Sequence, residues 1–162
     1  MTTTDMSIAT GAATPMPVLR LAREFKAPPM LVFRAFSEPA HLMQWFGPQG
    51  FTVTVCKTDC RIGGAWRIEM VSPLGNTYRV CGAYRAVEPG RRLAFSWAWE
   101  DEHGTLGHEM LVEVALQPRG DGTMLALTQT QFASEDACIE HEKGWSSALD
   151  CLVAYLQGGV GN

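Results

Sequence analysis

The sequence predicts a single α+β domain in which a strongly curved antiparallel sheet grips a long C-terminal helix. Three observations carry this prediction. Period-two apolar runs follow one another from residue 51 to residue 129 with short turns between them. An amphipathic helical stripe occupies residues 135–157, and a lone strand with two short helices precedes everything else. Strand runs joined by such short turns form a meander. A helix with one apolar stripe must bury it, and the meander's aromatic face is the surface large enough to receive it. Wrapping a sheet around a helix in this way tends to leave space between them.

Residues 17–25 alternate Leu19, Leu21, Arg23 and Phe25 against Arg20, Ala22 and Glu24, a period-two strand. Ala27-Pro28-Pro29 stops it, and proline suits the first position of the helix that follows over residues 30–36. Pro39 breaks that helix and begins a second, through Leu42, Trp45 and Phe46 to Gly47-Pro48. The six strands then run in order. Phe51, Val53 and Val55 alternate with Thr52, Thr54 and Cys56; next come Trp66, Ile68 and Met70, then Tyr78, Val80, Gly82 and Tyr84. Phe95, Trp97 and Trp99 form the fourth face, His108, Met110, Val112 and Val114 the fifth, and Leu125, Leu127 and Gln129 the last. The final helix has Ser134 as N-cap, Glu135 and Asp136 at the positive end of its dipole, and Gly158 at its end. Its stripe reads Cys138, Glu142, Trp145, Leu149, Leu152 and Leu156. Residues 1–16, rich in Thr, Ala, Gly and Ser, are expected to be a flexible tail, and residues 17–158 the domain.

The motifs in this β-α-α-β6-α order resemble the START-like (SRPBCC) helix-grip superfamily. The branch is the one named after the activator of the 90-kDa heat-shock-protein ATPase. The resemblance rests on Ala27-Pro28, Val32-Phe33, Ala35-Phe36 and Trp45-Phe46-Gly47-Pro48 near the start. It continues through Arg61-Ile62-Gly63-Gly64-Ala65-Trp66, Gly82-Ala83-Tyr84 and Leu93-Ala94-Phe95-Ser96-Trp97 to His141, Gly144-Trp145 and Leu149. It implies a helix-grip fold around an apolar cavity that binds a small apolar or amphipathic molecule. In a minority of members the same cavity serves cyclisation or dehydration, and the branch name adds a chaperone ATPase co-regulator as a third reading. Where many members carry histidine, this chain has Gln129, which weakens acid–base work at that position.

A net charge of −4 argues against nucleic acid, whose phosphates need a basic patch. No apolar run approaches the ~20 residues of a membrane helix, and the N-terminus lacks the regions of a secretory signal. The expectation is therefore a cytoplasmic protein without membrane insertion; a homodimer and a chaperone partner are left open. The five cysteines are odd in number and include no CxxC pair, so free thiols are expected, with Cys56 and Cys60 the first pair to test for a bridge. The four histidines have no ligand-like spacing, so no metal or other cofactor is expected.

The cavity is expected to be lined by Trp66, Met70, Tyr78, Phe95, Trp97 and Trp99 from the sheet, with Met110, Trp145 and Leu149 opposite. Gln129 and His108 are its expected polar handles, and Glu142 shares the helix stripe, either paired or reaching out to solvent. If His108 faces inward it is a candidate general base; otherwise it is a strand-end histidine in water. His141 is expected to pack or hydrogen-bond at the sheet edge. No nucleophile–base pair, phosphate loop or dinucleotide fingerprint is present, so no catalytic residue is assigned.

Overall fold

The computed structural model describes residues 16–158. Apart from Met16, the expected N-terminal tail lies outside the described residues. Ten elements follow in chain order. They are β1 (Leu19–Phe25), α1 (Pro29–Ser37), α2 (Pro39–Trp45), β2 (Thr52–Thr58), β3 (Ala65–Val71), β4 (Thr77–Glu88), β5 (Arg92–Glu100), β6 (Met110–Arg119), β7 (Gly122–Thr130) and α3 (Glu135–Gly158). The strands form one antiparallel sheet in the order β1-β7-β6-β5-β4-β3-β2. The first strand returns to pair with the last, with Leu19 opposite Gln129 and Phe25 opposite Thr123. This is the α+β helix-grip fold.

The helices start where the local chemistry dictates. Pro29 and Pro39 occupy the first helical turns of α1 and α2, where a missing N–H costs nothing. The Ser134 hydroxyl accepts from the Ala137 N–H at 3.1 Å and caps α3, with Glu135 and Asp136 in the first turn. Trp45 ties the two short helices together by donating its indole N–H to Ala35 O at 2.9 Å. Leu149, Leu152, Leu125, Leu127, Val112 and Val80 are fully buried between α3 and the sheet. No helix among the described residues is long and apolar enough to cross a membrane.

Besides a register shift between Tyr84 and Ala86 where β4 pairs with β5, two departures from simple alternation change the sequence reading. A bulge in β2 shifts the register between Val53, opposite Met70, and Val55, opposite Glu69. One extra residue reverses every following side chain, so Cys56 comes to lie opposite Ile68, and the single alternation expected for Phe51 through Cys56 does not hold. The second departure concerns His108. After β5 the chain doubles back, Gly107 N–H bonding to Trp99 O at 2.8 Å, and β6 begins only at Met110. His108 therefore falls outside the strand.

All five cysteines carry free thiols. Burial pushes the Cys56 thiol up to about 11 and raises Cys60, Cys81, Cys138 and Cys151 in the same direction. Thiol titration in denaturant without reductant should return about five groups. The native protein near pH 8 should react far more slowly, because the thiolate is the reactive form. A denatured count near three would reveal a disulfide.

Candidate functional site

Between the inner face of the sheet and the N-terminal half of α3 lies a cleft of about 500 Å³. Its floor is aromatic because β5 places Trp97 and Trp99 two residues apart on one face. Trp97 packs on Trp99 at 5.4 Å and on Trp145 at 5.3 Å between ring centroids. Met70 and Tyr78, directly opposite each other on β3 and β4, form the next stretch of wall. The segment between α2 and β2 closes one side with Phe46, Gly47, Pro48 and Phe51. This segment is held against α3 by the Gln49 N–H, which donates to Ser147 Oγ at 2.8 Å. Gly47 adopts φ +98°, and a Cβ there would lie 2.9 Å from Met70 Sδ, so only glycine turns the chain this tightly over the wall.

The polar groups of the cleft are largely engaged. Trp99 donates its indole N–H to His141 Nε2 at 3.1 Å, and His141 Nδ1 lies 2.8 Å from Ala137 O. Because an indole nitrogen can only donate, Nε2 must accept and Nδ1 must carry the proton. His141 is thus a neutral imidazole of defined tautomer. Burial holds it below its ordinary 6.5, against the opposing pull of the Ala137 carbonyl and Glu140. The Trp97 indole N–H, buried in the same wall, has no hydrogen-bond partner among the described residues. Arg79 and Glu100 border the cleft, but they alternate with inward-facing Tyr78 and Trp99 and so direct their side chains to the outer face. There Arg67 donates to both Glu100 oxygens, at 2.9 and 3.2 Å, and holds that carboxyl below the usual range; Arg79 pairs with Glu69 at 3.7 Å.

The expected cavity residues divide into four groups. Met70, Tyr78, Trp97, Trp99 and Trp145 line the cleft. Trp66 and Phe95 instead border a separate void of about 20 Å³, and Met110, Gln129 and Leu149 are buried in the core. Gln129 points inward but is not available as a handle. Its Oε1 accepts from Trp145 Nε1 at 2.8 Å and its Nε2 lies 3.5 Å from Met110 Sδ. His108 and Glu142 are corrections. His108 is exposed, with Nε2 2.6 Å from Gln131 O, because it precedes β6 rather than belonging to it. Glu142 is exposed because the step from Cys138 to Trp145 divides as three plus four, which brings His141 inward instead. Four plus three fits the same spacing, and only the cost of burying a carboxylate speaks against it in the sequence. Phe51 was legible as the first residue of its strand's buried alternation. The wall contributed by Phe46 and Pro48 was not, since both read only as a helix end.

His141 gives the fold a pH dependence of definite sign. Its folded value is depressed, so its contribution to stability is complete above about 6.5 and is lost as pH falls below that through the folded value. Protonation would also remove the acceptor of the Trp99 N–H. Urea denaturation from about pH 7.5 down to about pH 5 should show wild type losing stability in this window, with His141→Phe flatter. Parallel curves for the two proteins would show that His141 does not titrate as described.

The sequence model of the family described as "Activator of Hsp90 ATPase homolog 1-like protein" matches residues 26–157. Among solved structures, the AHSA1 protein of Silicibacter pomeroyi is 34% identical at a TM-score of 0.79, over 87% of this chain and 98% of that one. A protein from Chromobacterium violaceum is 30% identical at a TM-score of 0.78, over 86% and 96%. CalU16 of Micromonospora echinospora is also 30% identical, at a TM-score of 0.66, over 87% and 76%. A comparison with curated proteins finds no match.

Proposed function

The chain belongs to the activator of Hsp90 ATPase homolog 1-like family, and from that premise we propose that it binds a small, largely apolar molecule in the cleft between sheet and α3. The observation that carries this reading is the cleft itself. Its volume of about 500 Å³ lies within the ~300–1,000 Å³ range of small-molecule sites, and its walls are the aromatic and apolar side chains such sites use. A solid core would have needed no opening between Trp97, Tyr78 and Trp145. The free thiols fit a reducing compartment, so a cytoplasmic location belongs to the same proposal.

Native mass spectrometry of the purified protein tests this directly. A mass above the 17.8-kDa chain that disappears on denaturation would support the reading and allow the ligand to be weighed. Titration with apolar compounds should also quench tryptophan emission saturably, because three indoles meet at the cleft. A bare mass together with unchanged emission across the panel would overturn the proposal. The cyclase or dehydratase alternative loses its candidate base, since His108 lies outside the cleft in solvent, and Glu142, a carboxylate that could have served it, is exposed as well.

The family description favours a second reading, stimulation of a chaperone ATPase. Adding the protein to purified Hsp90 and measuring ATP turnover decides it. An increase that survives blocking the cleft would make the partner surface, rather than the cleft, the functional site.

A further inference from the structure

Gly144 lies in the interior of the 24-residue α3, where the fold offers no packing reason for glycine. Glycine inside a helix is less favourable than alanine because its backbone loses more freedom. A Cβ at Gly144 would meet Pro48 Cγ at 3.9 Å, an ordinary contact, and nothing closer. What the missing side chain does is leave space: Gly144 borders the cleft on the same stretch of helix as His141, Trp145 and Ala148.

The charge around the cleft points to what fills that space. Arg79 and Glu100, though they border the cleft, pair with Glu69 and Arg67 on the other face of the sheet, and Glu140 at the rim is exposed and paired with Lys143 at 3.5 Å. His141, the titratable side chain in the wall, is engaged as a neutral tautomer. A carboxylate, sulfonate or phosphate entering the cleft would leave water and meet no cation among the described residues, which is costly. From these two observations we infer that the cleft takes a molecule without an anionic group, whose apolar body lies against the α3 backbone at Gly144, and that Gly144 sets the size of body admitted. This rests on the ligand-binding reading above and specifies its chemistry.

Two fluorescent probes test it: N-phenylnaphthylamine, and anilinonaphthalene sulfonate, which has the same skeleton with an anion attached. The neutral probe should bind wild type saturably and at least ~10-fold more tightly than the sulfonate. Tyr78→Lys, which places a cation at the half-exposed edge of the wall, should shift the preference toward the sulfonate. Gly144→Leu should abolish binding of the neutral probe. Gly144→Ala should weaken it severalfold while raising the melting temperature, a combination that a purely structural glycine would not produce. The alanine variant also carries the test should the leucine variant fail to fold. Equal affinity of wild type for the two probes would overturn the inference about charge. Unchanged binding to both Gly144 variants would overturn the role of Gly144. In either case ligand binding itself would stand, whereas failure of both probes to bind wild type would remove it.

Discussion

Replacing Trp145 with alanine is expected to cost ~3–5 kcal/mol, a large share of the ~5–15 kcal/mol that holds a typical domain together. The ring is 4% exposed and joins three parts of the molecule. It meets Phe46 from the segment after α2, edge to face at 5.9 Å, and Trp97 from β5 at 5.3 Å. Its N–H satisfies the fully buried Oε1 of Gln129 on β7 at 2.8 Å. Truncation therefore removes apolar contacts and also strands a buried acceptor, and such unsatisfied groups cost ~1–3 kcal/mol. Glu140→Ala, on the same helix but with a 73% exposed side chain, should stay within ~0.5 kcal/mol of wild type. Urea denaturation followed by far-UV circular dichroism measures both without relying on the tryptophan signal. A loss below ~1 kcal/mol for Trp145→Ala would mean that α3 does not dock through this residue.

The second large effect is expected from a single methyl group. Gly82 on β4 lies opposite Trp66 on β3, and a Cβ there would sit 1.9 Å from Ser96 O and 2.6 Å from Trp66 Nε1. The indole N–H of Trp66 donates to that same Ser96 carbonyl at 3.1 Å, and the Ser96 hydroxyl accepts from the Ala83 N–H at 2.9 Å. Alanine at this position must separate β4 from β5 and break the Trp66 hydrogen bond, at an expected cost of ~3 kcal/mol. At Gly144 the same substitution should have the opposite sign, a gain of ~0.4–1 kcal/mol, because the added methyl there meets no obstacle and the unfolded chain loses freedom. Equal effects at the two glycines, measured by the same denaturation experiment, would contradict the close approach described for Gly82.

The elements, their order and the family were legible from the amino-acid sequence alone. Alternation of apolar residues marked every strand, Pro29, Pro39 and Ser134 marked the helix starts, and the stripe from Cys138 to Leu156 marked the face that α3 buries. These features are local, set by a period of two or of three and four and by capping chemistry that a few neighbouring residues complete. The composition of the cleft was only partly legible. Met70, Tyr78, Trp97, Trp99 and Trp145 sit in its wall because their strand and helix phases hold without interruption. The rest depended on long-range packing, wherever two local solutions were equivalent. The bulge in β2 turned Cys56 inward, and the late start of β6 left His108 in solvent. The choice between His141 and Glu142 fell to the neutral ring, and Gln129 was taken up by Trp145 and Met110. A side chain's direction depends on the register of the strand beside it, and its hydrogen-bond partner can be more than a hundred residues away, as Arg23 and Ser146 show. Neither is encoded in the spacing of nearby residues, so both appear only when the sheet closes on the helix.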